Sequence, residues 1–111
     1  MIRIHVNWTE SRFEAQGHAN WAEPGKDIVC AAVSILTQTM LKSLEEAEER
    51  EEIGTVKAEM EKGMLRIRVK NEGINNGYWP KRRTSRIMEF AMTGLRMIRE
   101  RYPERIEIEE E

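Results

Sequence analysis

The sequence predicts an α+β fold: a single two-layer domain over residues 1–111, with a mixed β-sheet and two main helices in the order ββαββαβ. Three observations predict it. The chain has 111 residues, a length typical of one domain. Short segments near the start and the middle of the chain alternate apolar and polar residues, as strands with one buried face do. Two longer segments repeat apolar residues at three-and-four spacing, which is the pattern of an amphipathic helix.

The first half of the chain predicts a β-hairpin followed by a long helix. The alternating apolar positions of the hairpin, on either side of a turn at residues 9–11, are Ile2, Ile4, Val6, Trp8, Phe13 and Ala15. Asp27 is a good N-cap for the helix that follows. The apolar positions of this helix are Ile28, Val29, Ala32, Val33, Leu36, Met40, Leu41 and Leu44. Residues 45–52 are mostly charged, so its last turns are predicted to be solvated.

The second half of the chain predicts another hairpin, a loop, a second helix and a short strand. The alternating positions of this hairpin are Val56, Ala58, Met60, Leu65, Ile67 and Val69. Residues 71–84 lack periodicity and predict a loop, with Thr84 or Ser85 as the helix cap. The predicted apolar face of the second helix is Ile87, Phe90, Ala91, Leu95, Ile98 and Tyr102, and Pro103 ends it. Ile106 and Ile108 predict the last strand.

Composition argues against several classes of protein. The chain has 18 Lys and Arg against 20 Asp and Glu, so its formal charge of −2 does not predict general binding to nucleic acid or to an anionic membrane. One cysteine and two histidines are too few for an intramolecular disulfide or a Cys/His zinc cluster, and no metal or cofactor is expected. The sequence shows no signal-peptide pattern and no apolar run of about 20 residues. We therefore expect a cytoplasmic protein without membrane contact.

His18 and Cys30 are candidate catalytic residues. Cys30 falls in the first turn of the first helix, where free amides and the helix dipole favour a thiolate. A nearby imidazole would serve as its general base, and amides of the helix start, including that of Cys30, would form an oxyanion hole. The pattern is also compatible with a small buried cysteine and an unrelated surface histidine.

The run GHANWAEPGKDIVCAAVS, at residues 17–34, resembles the signature of the ribosomal-processing cysteine protease family, usually called Prp. In that family a GHA is followed by an aromatic-containing loop that ends in G-x-D, and then by a helix start of the form (I/L)-V-C-A-(A/G)-x-S. The later run GLRMIRERYP, at residues 94–103, resembles the family's second helix and its Tyr-Pro stop. The similarity therefore extends over essentially the whole chain.

The resemblance implies a homodimeric cysteine endopeptidase with a Cys-His thiol mechanism. Its implied substrate is the N-terminal extension of the precursor of the twenty-seventh large-subunit ribosomal protein, cut after an aromatic residue. The implied site residues are Cys30 as nucleophile, His18 as base, Asp27 and Ser34 as supporting residues, and Trp21, Ala22 and Gly25 in a loop that shapes around substrate. Structural roles stay open for three of them: Asp27 as a plain N-cap, Ser34 as a small packed residue, and Trp21 as a loop anchor.

A second functional hypothesis rests on the basic residues Lys81, Arg82 and Arg83, which lie beside Tyr78 and Trp79. Arginines next to aromatics suit phosphates and stacked bases, so the chain could instead be a ribosome-associated or RNA-binding module without catalysis. A solvated basic loop explains the same residues. A small scaffold dimer is a third hypothesis, and it would show no cysteine reactivity.

Overall fold

A computed structural model describes residues 1–17, 27–71 and 78–111. Its elements are β1 (Ile2–Asn7), β2 (Arg12–Gln16), α1 (Ile28–Glu49), β3 (Thr55–Glu61), β4 (Met64–Lys70), α2 (Tyr78–Arg101) and β5 (Ile106–Glu110). The strands form one five-stranded sheet in the order β3-β4-β2-β1-β5. Strand β5 runs parallel to β1, and every other neighbouring pair is antiparallel. The predicted fold class, mixed sheet and ββαββαβ order are confirmed.

The core lies between one face of the sheet and the two helices. Alternate strand residues are buried together with the inner faces of α1 and α2, because successive side chains of a strand point to opposite sides. The largest fully buried side chains include Phe13, Ile4, Met40, Leu44, Met92 and Leu95. The second face of the sheet carries mostly charged and polar residues and is called the open face below. Substrate-sized clefts therefore lie either at the edge of the helix layer or on the open face.

Helix α2 begins at Tyr78, well before the caps that the sequence suggested at Thr84 or Ser85. Pro80 falls in its first turn, where a missing N–H leaves no hydrogen bond unmade. Thr84 is fully buried, and its hydroxyl donates to the Pro80 carbonyl at 2.8 Å while it accepts from Asn71 Nδ2 at 3.2 Å. Thr84 is thus an interior helix residue, and residues 81–83 lie in a helix instead of a loop.

The side chain of Phe90 is 84% exposed, so the prediction that it lies on the buried face of α2 is wrong. The buried positions of this helix are Pro80, Thr84, Met88, Ala91, Met92 and Leu95. This stripe faces the sheet, and Phe90 lies beside it on the outer surface between the helices. The neighbouring Ile35 of α1 is likewise exposed.

Helix α1 is long and apolar enough to cross a membrane by length and mean hydropathy, alone among the described helices. Core helices of other folds meet the same criterion. Val29, Val33, Met40 and Leu44 are buried in the core cluster, which accounts for the apolar composition of the helix. We therefore assign α1 to the core of the domain.

Candidate active site

Asp27 caps helix α1 directly beside Cys30. Its side-chain Oδ1 accepts the backbone N–H groups of Val29 and Cys30, each at 3.0 Å, and its backbone carbonyl accepts that of Ala31 at 3.0 Å. Asp27 is buried, which fits a carboxylate satisfied by backbone donors. The Cys30 amide is therefore occupied. The expectation that it serves in an oxyanion hole does not hold in this arrangement.

Cys30 opens onto a cleft between the start of α1 and the β3–β4 hairpin. Cys30, Ser34 and Gln38 recur at four-residue spacing and so share one face of α1. This face lines the cleft, whose volume is about 200 Å³. The other walls are formed by the ends of β1, β2 and the hairpin, including Gly17, Met60, Gly63 and Leu65. Cys30 is half-buried at this cleft.

Gly17 fixes the position at which the chain leaves β2 for His18. Its φ is 93°, a region that favours glycine, and a Cβ added there would lie 2.4 Å from the carbonyl oxygen of Met1. The glycine of the GHA run therefore has a structural reason. Gly17 lines the same cleft as Cys30, and it is the residue directly before His18 in the sequence.

The structure brings together three of the predicted site residues. Cys30 and Ser34 line the cleft, and Asp27 binds the amide of Cys30. His18, Trp21, Ala22 and Gly25 lie outside the described residues. Roles assigned to these four residues stay predictions.

Sequence reasoning missed the wall of the cleft that faces the helix. Met60 is 57% exposed although it lies on the same side of the sheet as the core, because β3 is an edge strand beyond the cover of the helices. Thr37 and Gln38 also line the cleft, and their spacing from Cys30 and Ser34 on α1 was a usable signal. No local pattern links Met60 to Cys30, since their proximity depends on the strand order.

A separate cluster of potential metal ligands lies on the open face. His5 Nε2 is 3.0 Å from Glu111 Oε2 and 3.9 Å from Glu109 Oε1, and no other group of three such ligands occurs in the described ranges. All three side chains are substantially exposed, and Asn7 also donates to Glu111. The geometry is that of a surface ion pair, and we assign it no metal.

A cysteine in the capped first turn of a helix, facing a cleft at a sheet edge, is an arrangement that suits a thiol nucleophile. The chain belongs to the family described as Cysteine protease Prp, whose model matches residues 1–107. Because members of this family are enzymes, the hypotheses of an RNA-binding module without catalysis and of a scaffold dimer without catalysis are set aside.

Solved structures with the same fold cover nearly all of the chain. The ribosomal processing protease Prp of S. aureus, solved with a covalently linked product peptide, has a TM-score of 0.73 and 20% identity over 100% of both chains. The same protein with a substrate peptide has a TM-score of 0.72 and 21% identity, again over 100% of both chains. SMU.848 from Streptococcus mutans has a TM-score of 0.69 and 24% identity over 98% of this chain and 90% of that one. No curated protein matches the chain in sequence.

Proposed function

We propose that this protease removes the N-terminal extension of the precursor of the twenty-seventh large-subunit ribosomal protein, with Cys30 as nucleophile and His18 as base. The observation that carries the proposal is that Gly17, the neighbour of His18, lines the same cleft as Cys30. Family membership supports a peptide as the substrate. The solved relatives from S. aureus, described as ribosomal processing proteases with bound peptides, support a ribosomal one.

The proposed chemistry is two acyl transfers. The Cys30 thiolate attacks the scissile carbonyl carbon, and the C–N bond breaks as His18 gives a proton to the leaving amine. His18 then takes a proton from water, which attacks the thioester and releases the acid and the thiol. The N–H groups of Val29, Cys30 and Ala31 are already bonded to Asp27. We therefore assign the oxyanion donors to groups outside these three amides.

The supporting residues act around this pair. Asp27 holds the first turn of α1 and so orients Cys30. Ser34 stands one turn further along the same cleft wall and offers a hydroxyl to the bound peptide. Trp21, Ala22 and Gly25 are proposed to belong to a loop that shapes around substrate, in which Trp21 and Ala22 supply an apolar wall.

The substrate is proposed to bind as an extended strand with an aromatic residue before the cut. Strand β3 is an edge of the sheet, so its outer backbone groups are available for a peptide to pair with. Met60 lies on this strand at the cleft and presents a flexible thioether to an aromatic side chain, a favourable contact. Main-chain pairing gives affinity, and the Met60 wall gives selectivity.

We further propose a cytoplasmic homodimer that joins through the helix layer. Ile35, Leu36, Ile87 and Phe90 line an apolar groove of about 380 Å³ between α1 and α2. A twofold axis would place this groove and the exposed Phe90 ring against the same features of a second copy. Sedimentation equilibrium should find a dimer for wild type and a monomer for Phe90→Asp. A wild-type monomer at the concentrations of the cleavage assay would contradict the dimer.

The test of the proposed function is cleavage of the organism's own extended precursor, followed by intact mass. Wild type should make one defined cut, and Cys30→Ser should make none. Ala31→Ser is a matched control, because it adds a hydroxyl at the adjacent exposed position and leaves the thiol in place. An uncut precursor with wild type would reject this substrate, and cutting by Cys30→Ser would reject the nucleophile.

A further inference from the structure

Three cations lie directly opposite one another on the open face of the sheet. Arg68 of β4 is the register partner of Lys57 of β3 on one side and of Arg12 of β2 on the other. We call Lys57, Arg68 and Arg12 the cationic row. Neighbouring strands are about 4.8 Å apart, so the three backbones that bear these charges span only about 10 Å.

The adjacent row on the same face is neutralised, whereas the cationic row is not. Two residues along, Arg66 lies between Glu14 at 3.5 Å and Glu59 at 3.8 Å. In the cationic row, Arg12 is 3.9 Å from Glu10, with both side chains about half exposed. Arg68 and Lys57 form no ion pair with any residue of the described ranges. Like charges directly opposite one another are destabilising, so the row costs stability unless an anion binds it.

The cationic row lies in a groove. This groove crosses the open face with a volume of about 710 Å³. Besides the cationic row it is lined by Arg66 and by four carboxylates, of which Glu14 and Glu59 pair with Arg66, Glu10 approaches Arg12, and Glu111 lies beside His5. Cys30 is on the helix-covered side of the sheet, so the groove is separate from the catalytic cleft. A ligand bound here would leave the cleft open to a peptide.

The start of α2 extends this positive surface past the β1–β2 turn. Lys81 Nζ donates to the carbonyl of Thr9 at 2.6 Å, and Thr9 lies in the turn that leads to Arg12. Arg82 and Arg83 follow Lys81 and are exposed, and the first turn of α2 has no acidic residue. A helix N-terminus disfavours cations, and of these three only Lys81 has a hydrogen bond within the described residues that offsets this cost.

Two exposed aromatic rings stand one turn before these cations. Tyr78 is 62% and Trp79 is 56% exposed, and their rings meet edge to face with centroids 5.0 Å apart. Exposed aromatic rings are groups on which unpaired bases stack. An acidic peptide would use the cations alone, whereas a nucleic-acid strand uses the cations for its phosphates and the rings for its bases.

We propose that single-stranded nucleic acid binds across the open face and around the β1–β2 turn, with phosphates on the cationic row and bases against Tyr78 and Trp79 at the start of α2. The binding is independent of catalysis, and it gives the protease a second point of attachment. RNA and DNA share the chemistry that these groups recognise, so the experiment compares both sources.

The test is fluorescence anisotropy with a short labelled oligouridylate, its oligodeoxythymidylate counterpart and a polyglutamate peptide of equal charge. Affinity should fall with salt, since each phosphate contact on a single strand contributes a slope of about −0.7. Arg12→Gln with Arg68→Gln should reduce that slope by about 1.4, and charge reversal at both should weaken binding about tenfold or more. Trp79→Ala should weaken binding of the oligonucleotide and leave the peptide unaffected.

The matched control reverses two exposed cations elsewhere, Lys42 and Arg101, to glutamate. Thermal unfolding checks that every variant folds. If the charge-reversal variant does not fold, the variant with Arg12→Gln and Arg68→Gln is used to test the site. Equal loss of binding in this control would overturn the proposal that the nucleic acid binds at the cationic row. Absence of oligonucleotide binding by wild type at about 50 mM salt would overturn the ligand class. So would polyglutamate binding that is as tight as oligonucleotide binding, together with no effect of Trp79→Ala.

Discussion

Gly17 donates its backbone N–H to the carbonyl oxygen of Gly63 at 2.8 Å. Gly17 directly follows β2, and Gly63 lies in the turn between β3 and β4, so this bond closes one end of the cleft that Cys30 lines. Both residues have a positive φ, 93° and 77°, which glycine adopts without strain. Backbone geometry thus sets the point at which the chain departs toward His18.

Gly17→Ala should destabilise the fold and depress cleavage together. The new Cβ would lie 2.4 Å from the Met1 carbonyl oxygen, and alanine is strained at this φ. We expect a loss of about 1–3 kcal/mol in the free energy of unfolding, measured by urea denaturation.

Gly94→Ala is the matched control for this substitution. The closest atoms to its added Cβ would be the terminal carbons of the Leu36 side chain, at 2.8 Å and 2.9 Å, and alanine favours a helix. It should cost less stability than Gly17→Ala. Equal stability of Gly17→Ala and wild type would show that the clash is relieved, and that Gly17 does not fix the end of β2.

Asp27→Ala should lower stability by about 1 kcal/mol, because two amides lose their acceptor. Asp27→Asn is the control, since its side-chain oxygen accepts the same bonds without charge. We expect the asparagine variant to keep both stability and cleavage, read by thermal unfolding and intact mass. Equal destabilisation of both variants would show that the N-cap bonds are not what Asp27 contributes.

Met60→Ser should reduce kcat/KM for a peptide with an aromatic residue before the cut, mainly through KM. Loss of this partial apolar contact is worth about 1 kcal/mol, or about fivefold. Met97→Ser is the control, because Met97 is similarly exposed at 62% and lies on α2 away from the cleft. An equal effect in both variants would remove Met60 from the proposed subsite.

The ion pair between α2 and β5 should make stability depend on pH. Hydrogen bonds from Arg96, at 2.7 Å and 3.0 Å, and from Trp8 lower the pKa of Glu110. A carboxylate with a lowered folded pKa stabilises above its unfolded pKa of about 4.3, and that stability is lost as pH falls through the folded value.

Glu110→Gln should therefore lower the unfolding temperature at about pH 7 and have little effect at strongly acidic pH. Glu104→Gln is the control, since Glu104 is exposed and forms no ion pair with the described residues. A difference between wild type and Glu110→Gln that does not change with pH would contradict the ion-pair explanation.

Periodicity predicted the elements of this fold and could not predict their neighbours. Alternation identified the strand that holds Met60, and no residue in it signals that this strand is an edge that faces Cys30. The start of α2 was missed because Pro80 and three consecutive basic residues interrupt the helical pattern. The sequence suggested Thr84 as a cap because a threonine hydroxyl can form a hydrogen bond with the backbone at a helix start. In the structure this hydroxyl bonds to the backbone inside the helix.

Local sequence predicted the features of the site that lie within one segment of the chain. The N-cap at Asp27 follows from residue type and is confirmed by its bonds to Val29 and Cys30. Occupation of the Cys30 amide by that cap was not foreseen, since the same residue that starts the helix also uses the amide. The cationic row depends on the pairing of three strands, which no single segment encodes.

The most direct test of the central claim is to trap the acyl enzyme. Wild type is mixed with an extended precursor peptide, quenched in acid, and analysed by peptide mass mapping. Attack by Cys30 predicts a thioester on this residue whose added mass equals the N-terminal fragment minus one water. The adduct should be absent in Cys30→Ser and in His18→Ala. Cleavage without any adduct on Cys30, or an adduct on another residue, would contradict the mechanism.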